Sequence, residues 1–182
     1  MTPDALTARV AELLGAGVTC TTAYGDVTVD VPREDWPAAV TAVREGLDLT
    51  YFDLLTAVDE QPEGFAVVLR LWSVAGRYGL LLRTRCPRDD ARVPSLTGVF
   101  AGAAWHERSV AEMFAIGFDG HPALTPLLLP DGYAEHPLRK EFVLQARVDK
   151  PWPGAKEPGE SDDDVAGRPP RRKNRPLGVP PT

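Results

Sequence analysis

LTYFDLLTAVDEQPEGFAVVLRLWSVAGRYGLLLRTR, residues 49–85, decides the fold. Three apolar runs lie in it: Leu49 to Val58, Phe65 to Ser73, and Tyr78 to Arg85. Each has the length and composition of a strand, and turn-forming residues separate them. Asp59 to Gly64 (DEQPEG) reads as one turn, and Ala75-Gly76-Arg77 as the bend of a hairpin joining the second and third runs. Upstream, Asp26 to Val31 (DVTVDV) alternates strictly, placing Val27, Val29 and Val31 on one face of a half-buried strand that Pro32 stops. Two helices precede and interrupt this set. Thr2 is an N-cap before Pro3, and Leu6, Val10, Leu13 and Leu14 follow helical spacing until Gly15 and Gly17. Trp36, Val40, Val43 and Leu47 share one face of a second helix over Asp35 to Leu47. Two helices, one early strand and three later ones predict an α+β fold, with helices on one face of a small, mostly antiparallel sheet.

Beyond Arg85 the pattern is less regular. Pro87 to Pro94 reads as a polar connection, followed by helix around Pro94 to Phe100 and again from Ala103 to Ile116. Between Gly117 and Phe142, Pro122, Pro126, Pro130 and Pro137 forbid a helix, yet the stretch carries Leu124, Leu127, Leu128, Leu129, Tyr133, Leu138 and Phe142. An extended segment this apolar needs a surface. The residues leave open whether that surface is its own domain or a partner. Residues 151–182 hold 8 Pro and 4 Gly, with an acidic patch (Glu160, Asp162, Asp163, Asp164) before a basic one (Arg168, Arg171, Arg172, Lys173, Arg175). That composition predicts a disordered arm, whose basic cluster resembles a nuclear-localisation or nucleic-acid patch but better suits a solvated tail that grips an acidic partner surface. The expected division is an α+β domain over 1–116, an extended docking segment over 117–149 and a disordered tail over 150–182.

The chemistry that composition allows is narrow. A net charge of −6 is a poor footprint for nucleic acid. Cys20 and Cys86 stand alone and read as thiols rather than as a metal site or a disulfide. No basic leader and no apolar run of membrane-spanning length is visible, which predicts a soluble, cytoplasmic protein that meets a membrane only through other subunits. GAGVTC (Gly15 to Cys20) lacks the third glycine of a dinucleotide loop and follows a helix rather than a strand. His106, His121 and His136 are 15 residues apart, outside metal-ligand spacing on a helix. Two of them precede proline, where an imidazole can anchor a turn. Glu107 and Glu112 point about 140° apart on a helix, so they form no acid–base pair. Arg108 and Glu112, at i and i+4, suit a surface ion pair. The residues favour a binding or structural role over an enzyme.

Trp105 to Phe142, WHERSVAEMFAIGFDGHPALTPLLLPDGYAEHPLRKEF, resembles the signature of the C subunit family of NADH-quinone oxidoreductase, whose mitochondrial members are called the 30 kDa subunit. The resemblance extends over about Val27 to Phe142. It implies a non-catalytic peripheral-arm subunit of a complex I-type enzyme, on the cytoplasmic face of the cell membrane. Its neighbours there would be the large quinone-site subunit, against which it packs, and the iron–sulfur subunits. The resemblance implies no cofactor here; iron–sulfur clusters, FMN and quinone belong to partner chains. The signature positions it marks for docking are Glu107, Arg108, Met113, Phe114, His121, Pro122, Leu128, His136, Pro137, Leu138, Arg139 and Lys140. Departures are Ser109 for a glutamate, Glu112 for an aspartate, Ala115 for a glycine, and Ala123, Thr125 and Pro126 in place of charged residues around Leu124. They fit a divergent paralogue with an altered partner surface. The alternatives are the equivalent subunit of a membrane-bound hydrogenase or other-donor complex, and a free-standing binding module.

Overall fold

Seven strands and three α-helices make up the computed structural model, which describes residues 1–143. The tail expected over 150–182, and the end of the segment expected over 117–149, lie outside the described residues. Helix α1 (Pro3–Leu14) starts at Thr2, whose hydroxyl accepts the Ala5 N–H, and stops at Gly15 with φ 75°. Strands β1 (Thr19–Ala23) and β2 (Asp26–Asp30) form a hairpin. Helix α2 (Trp36–Gly46) then crosses to β3 (Tyr51–Glu60), β4 (Gly64–Ser73) and β5 (Tyr78–Pro87), an antiparallel meander. The sheet order is β1-β2-β5-β4-β3.

The alternation read from the sequence sets this sheet. Val27 and Val29, Leu80 and Leu82, Phe65 to Leu71 at every second position, and Leu55 with Ala57 all face one side. There they share a single core with Leu6, Val10, Trp36, Val40 and Val43 of α1 and α2 and with Val110 and Phe114 of the third helix. The opposite face carries a network of ion pairs beside apolar residues such as Leu54, Val58 and Val68: Arg83 and Arg85 pair with Asp30, Arg85 with Glu60, and Arg70 with Asp26 and Asp53.

Three features differ from the expectation. Antiparallel pairing holds for β1–β2, β3–β4 and β4–β5, but β2 runs parallel to β5, so the sheet is mixed and open. The early strand is half of a hairpin, because β1 pairs with it along its length. The expected helix at Pro94 to Phe100 is instead strand followed by a turn: β6 (Arg92–Pro94) pairs in parallel with β7 (Gly117–Asp119), and Val99 and Phe100 bond back to the Leu96 carbonyl. The Leu96 N–H goes to the Glu107 carboxylate, and the Ser95 N–H to the Asp119 carbonyl. Pairing with β7 keeps Arg92–Pro94 extended, and only a single turn follows it over Leu96 to Phe100.

Helix α3 (Ala103–Phe114) ends at Ala115, which sits left-handed at φ 57° and ψ 39°. A Cβ in this conformation costs about 1 kcal/mol. Ala115→Gly is therefore expected to stabilise the fold by about 0.5 kcal/mol after the added freedom of the unfolded chain is subtracted. A calorimetric rise in Tm of roughly 2 °C would show it; a fall would contradict it.

Candidate functional site: helix α3 and the strap laid across it

α3 is amphipathic in an unusual way. Its buried stripe is Ala103, Glu107, Val110 and Phe114, so a carboxylate lies among the apolar positions. Glu107 is fully buried; its oxygens accept the Ser95 hydroxyl and the Leu96 N–H, both at 2.6 Å. Burial pushes its pKa up against the lowering effect of those two bonds.

The other side of α3 faces residues 121–142, which run over it as a strap. Arg108 and Glu112 do not pair as i and i+4 charges. Arg108 donates from Nε and Nη2 to the carbonyls of Thr125 and Pro126, at 2.8 and 2.7 Å. Glu112 accepts the N–H groups of Leu127, Leu128 and Leu129, at 3.1, 2.8 and 2.8 Å. Burial raises the Glu112 pKa, but the three backbone donors and Arg108 outweigh it and the net shift is downward. The cation takes carbonyls and the anion takes N–H groups of the same turn, so a backbone without a ladder of its own is satisfied.

At the end of α3 the strap does the work of a cap. Three terminal carbonyls lack intrahelical donors. Glu112 C=O receives Nδ1–H of His136 at 2.8 Å, Met113 C=O the Leu138 N–H at 3.2 Å, and Phe114 C=O Nε–H of Arg139 at 2.7 Å. A guanidinium at this end also complements the helix dipole. The Arg139 cation lies 5.2 Å from the Phe65 ring centre, and the Arg88 cation lies 4.7 Å from it. Below, Asp59, only 4% exposed, binds Arg88 with one oxygen and the Lys140 N–H with the other at 2.9 Å. Glu141 also pairs with Arg88, at 2.9 Å.

The histidines expected to fix turns do so: His121 bridges the Ala104 carbonyl and the Ala123 N–H, and His136 holds the Glu112 carbonyl. The His106 side chain turns from α3 to the Leu55 main chain of β3 instead. Among the described residues no group of three or more His, Cys, Asp or Glu is arranged to hold a metal ion. Of the signature positions, Glu107 and Phe114 are buried, Met113, Arg108, His121, His136, Pro137 and Arg139 are half-buried, and Pro122, Leu128, Leu138 and Lys140 are exposed. Sequence reasoning missed the role of Glu112 as a clasp, and missed Asp59, Arg88 and Glu141. Asp59 carried a signal: it falls on the inward phase of Leu55 and Ala57, where a charge requires a partner.

The strap leaves apolar side chains exposed among charged ones such as Asp131, Glu135 and Lys140. Leu128 is 62% exposed and Leu138 55%, with Leu124 and Tyr133 also exposed; beside them on α3, Trp105 is 64% exposed.

Residues 29–148 match the family model described as the 30 kDa subunit of respiratory-chain NADH dehydrogenase. The chain is 34% identical over 157 residues to the NADH-quinone oxidoreductase C subunit of Bordetella petrii, covering 75% of each chain. It is 37% identical over 147 residues to the C subunit of Acidithiobacillus ferrooxidans, covering 73% of this chain and 72% of that one. Among solved structures it is similar to a chain of an archaeal respiratory membrane complex, the membrane-bound sulfane sulfur reductase, with a TM-score of 0.69 and 25% identity over 88% of this chain and 96% of that one. It is also similar to the trypsin-resistant fragment of Nqo5, with a TM-score of 0.57 and 27% identity over 65% of this chain and 98% of that one.

Proposed function

Because the chain belongs to the 30 kDa subunit family of respiratory-chain NADH dehydrogenase, we propose that its strap is the surface by which it docks beside the quinone-site subunit of a complex I-type NADH-quinone oxidoreductase. The chain is a non-catalytic accessory subunit of that assembly. No helix among the described residues is long and apolar enough to cross a membrane, which fits a peripheral place in the complex, on the cytoplasmic face. The redox groups sit in neighbouring chains. This chain contributes rigidity and assembly to electron transfer from NADH to quinone and to the coupled translocation of protons.

One observation carries the docking assignment: polar groups of α3 hold the strap rigid from within while Leu128 and Leu138 stand exposed. A ridge ordered before it meets its partner loses little conformational entropy on binding. Glu107, Phe114 and Arg139 then serve docking indirectly, by holding α3 and the strap in place. Trp105, a residue type enriched at the energetic centres of interfaces, sits on the same helix.

Replacing Leu128 and Leu138 together by aspartate tests this. Both side chains are exposed, so the Tm of the isolated chain should stay nearly constant. Co-purification with the quinone-site partner should drop at least about tenfold, as expected for charges buried against an apolar surface. Unchanged co-purification would refute strap docking.

The likeness to a chain of the sulfane sulfur reductase supports a second reading, an equivalent subunit in a complex fed by another donor. The identity of the donor-binding protein that co-purifies separates the two.

A further inference from the structure

The two edges of the five-stranded sheet are built differently. At β3, His106 Nδ1 lies 3.4 Å from the Leu55 nitrogen and 3.0 Å from its oxygen, covering main-chain groups of the edge. The β3 register also slips between Phe52 and Leu54, and Asp53 at the slip is drawn to Arg70. A covering side chain, a bulge and a charge are the devices that stop a sheet edge from recruiting another strand. Among the described residues β1 has none of them. Its sequence TCTTA has no charge and no proline, its register with β2 is unbroken, and all but Cys20 are exposed.

The free groups on β1 can be named. Tyr24 and Gly25 both have positive φ, 53° and 87°, the geometry of a two-residue type I′ turn. Ala23 and Asp26 then close the hairpin as a hydrogen-bonded pair, and the bonded pairs alternate through Thr21–Thr28 to Thr19–Asp30. Cys20 and Thr22, opposite Val29 and Val27, turn their N–H and C=O groups away from β2. The far side of β2 fixes the phase: the Val31 N–H donates to the Arg83 carbonyl of β5 at 2.8 Å, so the odd-numbered residues of β2 face β5.

We propose that β1 is a strand-addition site, filled in the assembled complex by an extended, uncharged segment of a neighbouring subunit lying along Cys20 and Thr22. The inference rests on the accessory-subunit reading above. The five residues of β1 span about 17 Å. A strand pairing of that length buries on the order of a few hundred Å², well short of the roughly 1,200 Å² that holds two free proteins together, which disfavours a second copy of this chain. A segment from a protein already held by the strap has a high effective concentration and needs only the added main-chain bonds. Its helix-side residues would meet Cys20 and Thr22, side chains that offer a charge no ion-pair partner.

Hydrogen exchange of the full chain, alone and in the purified complex, tests the site at single-amide resolution. Alone, the Thr21 and Ala23 amides should be slow, being bonded to β2, and the Cys20 and Thr22 amides fast. In the complex the latter two should slow about tenfold or more. Equal rates in both states, with the strap protected on assembly, would overturn the strand-addition site and leave strap docking intact. Protection in the isolated chain that grows with its concentration would replace the neighbouring protein by a second copy. A chain that never enters a complex would defeat the accessory reading and this site together. A variant adds a second check: Thr22→Pro deletes one outward N–H without touching the ladder to β2. In competition with wild type it should enter the complex severalfold less often at a nearly unchanged Tm, and equal entry would count against the site.

Discussion

Glu107→Ala is expected to remove about 3–5 kcal/mol of stability, seen as a lower urea midpoint with an unchanged slope. The carboxylate is fully buried, and its loss leaves the Leu96 N–H and the Ser95 hydroxyl without partners in a dry site. A cavity adds to that cost. Glu107→Gln keeps the shape and an acceptor for Leu96, and should lose only about 1 kcal/mol. The two proteins should also differ in pH dependence. The folded-state pKa of Glu107 is raised above its unfolded value, so its favourable contribution is complete below the ordinary glutamate pKa of about 4.3 and is lost as pH rises through the raised folded value. Wild type should therefore gain stability relative to the glutamine variant as pH falls through that window. Asp30 acts in the opposite direction. Hydrogen bonding to Arg83 lowers its pKa against the effect of burial, so its contribution is present above the unfolded value and lost on acidification, equally in both proteins. A stability difference that stays flat with pH would mean that Glu107 is not held in a burial-dominated site.

Asp59→Ala should cost about 2–3 kcal/mol and free the end of the strap. A buried carboxylate that loses its role as partner leaves a cation without compensation, typically worth about 3–5 kcal/mol; here Glu141 remains on Arg88 and softens the effect. The Lys140 N–H also loses its acceptor. The change should be local. Amides of residues 138–142 should exchange faster, while Leu127 to Leu129, held by Glu112, keep their rates. Loosening of both halves together would show that the strap behaves as one unit rather than two separately fixed turns.

The parts of this molecule legible in its sequence are those where one face is buried. β2, the meander β3 to β5, and the helices α1, α2 and α3 all carry a period of two or 3.6 that burial imposed. β1 was invisible for the same reason: it is Thr-rich and largely exposed, so nothing forces alternation, and its turn is Tyr-Gly rather than the stronger Asn-Gly signal. Leu96, Val99 and Phe100 are spaced like a helical face, but a single turn produces that spacing too. Only the pairing of β6 with β7, made through a distant part of the chain, reveals which is present. In the strap, the proline pattern and the His-Pro turns were readable. The Arg108 and Glu112 roles were not, because i, i+4 geometry permits their pairing and cannot disclose that a returning backbone offers both charges better partners.

The parallel contact between β2 and β5 orders events during synthesis. Thr28 meets Leu81, 53 positions later, whereas each pairing within the meander closes through a short turn. Loop closure over that distance follows the local contacts, so the β1–β2 hairpin and the meander each form through their own short turns before the two join. At about 5–20 residues per second, the ribosome takes roughly three to ten seconds to bring β5 into being after β2 has emerged. For that interval both sides of the hairpin lack neighbours, and the absence of charge along β1 leaves the nascent chain nothing at that margin to repel another copy of itself.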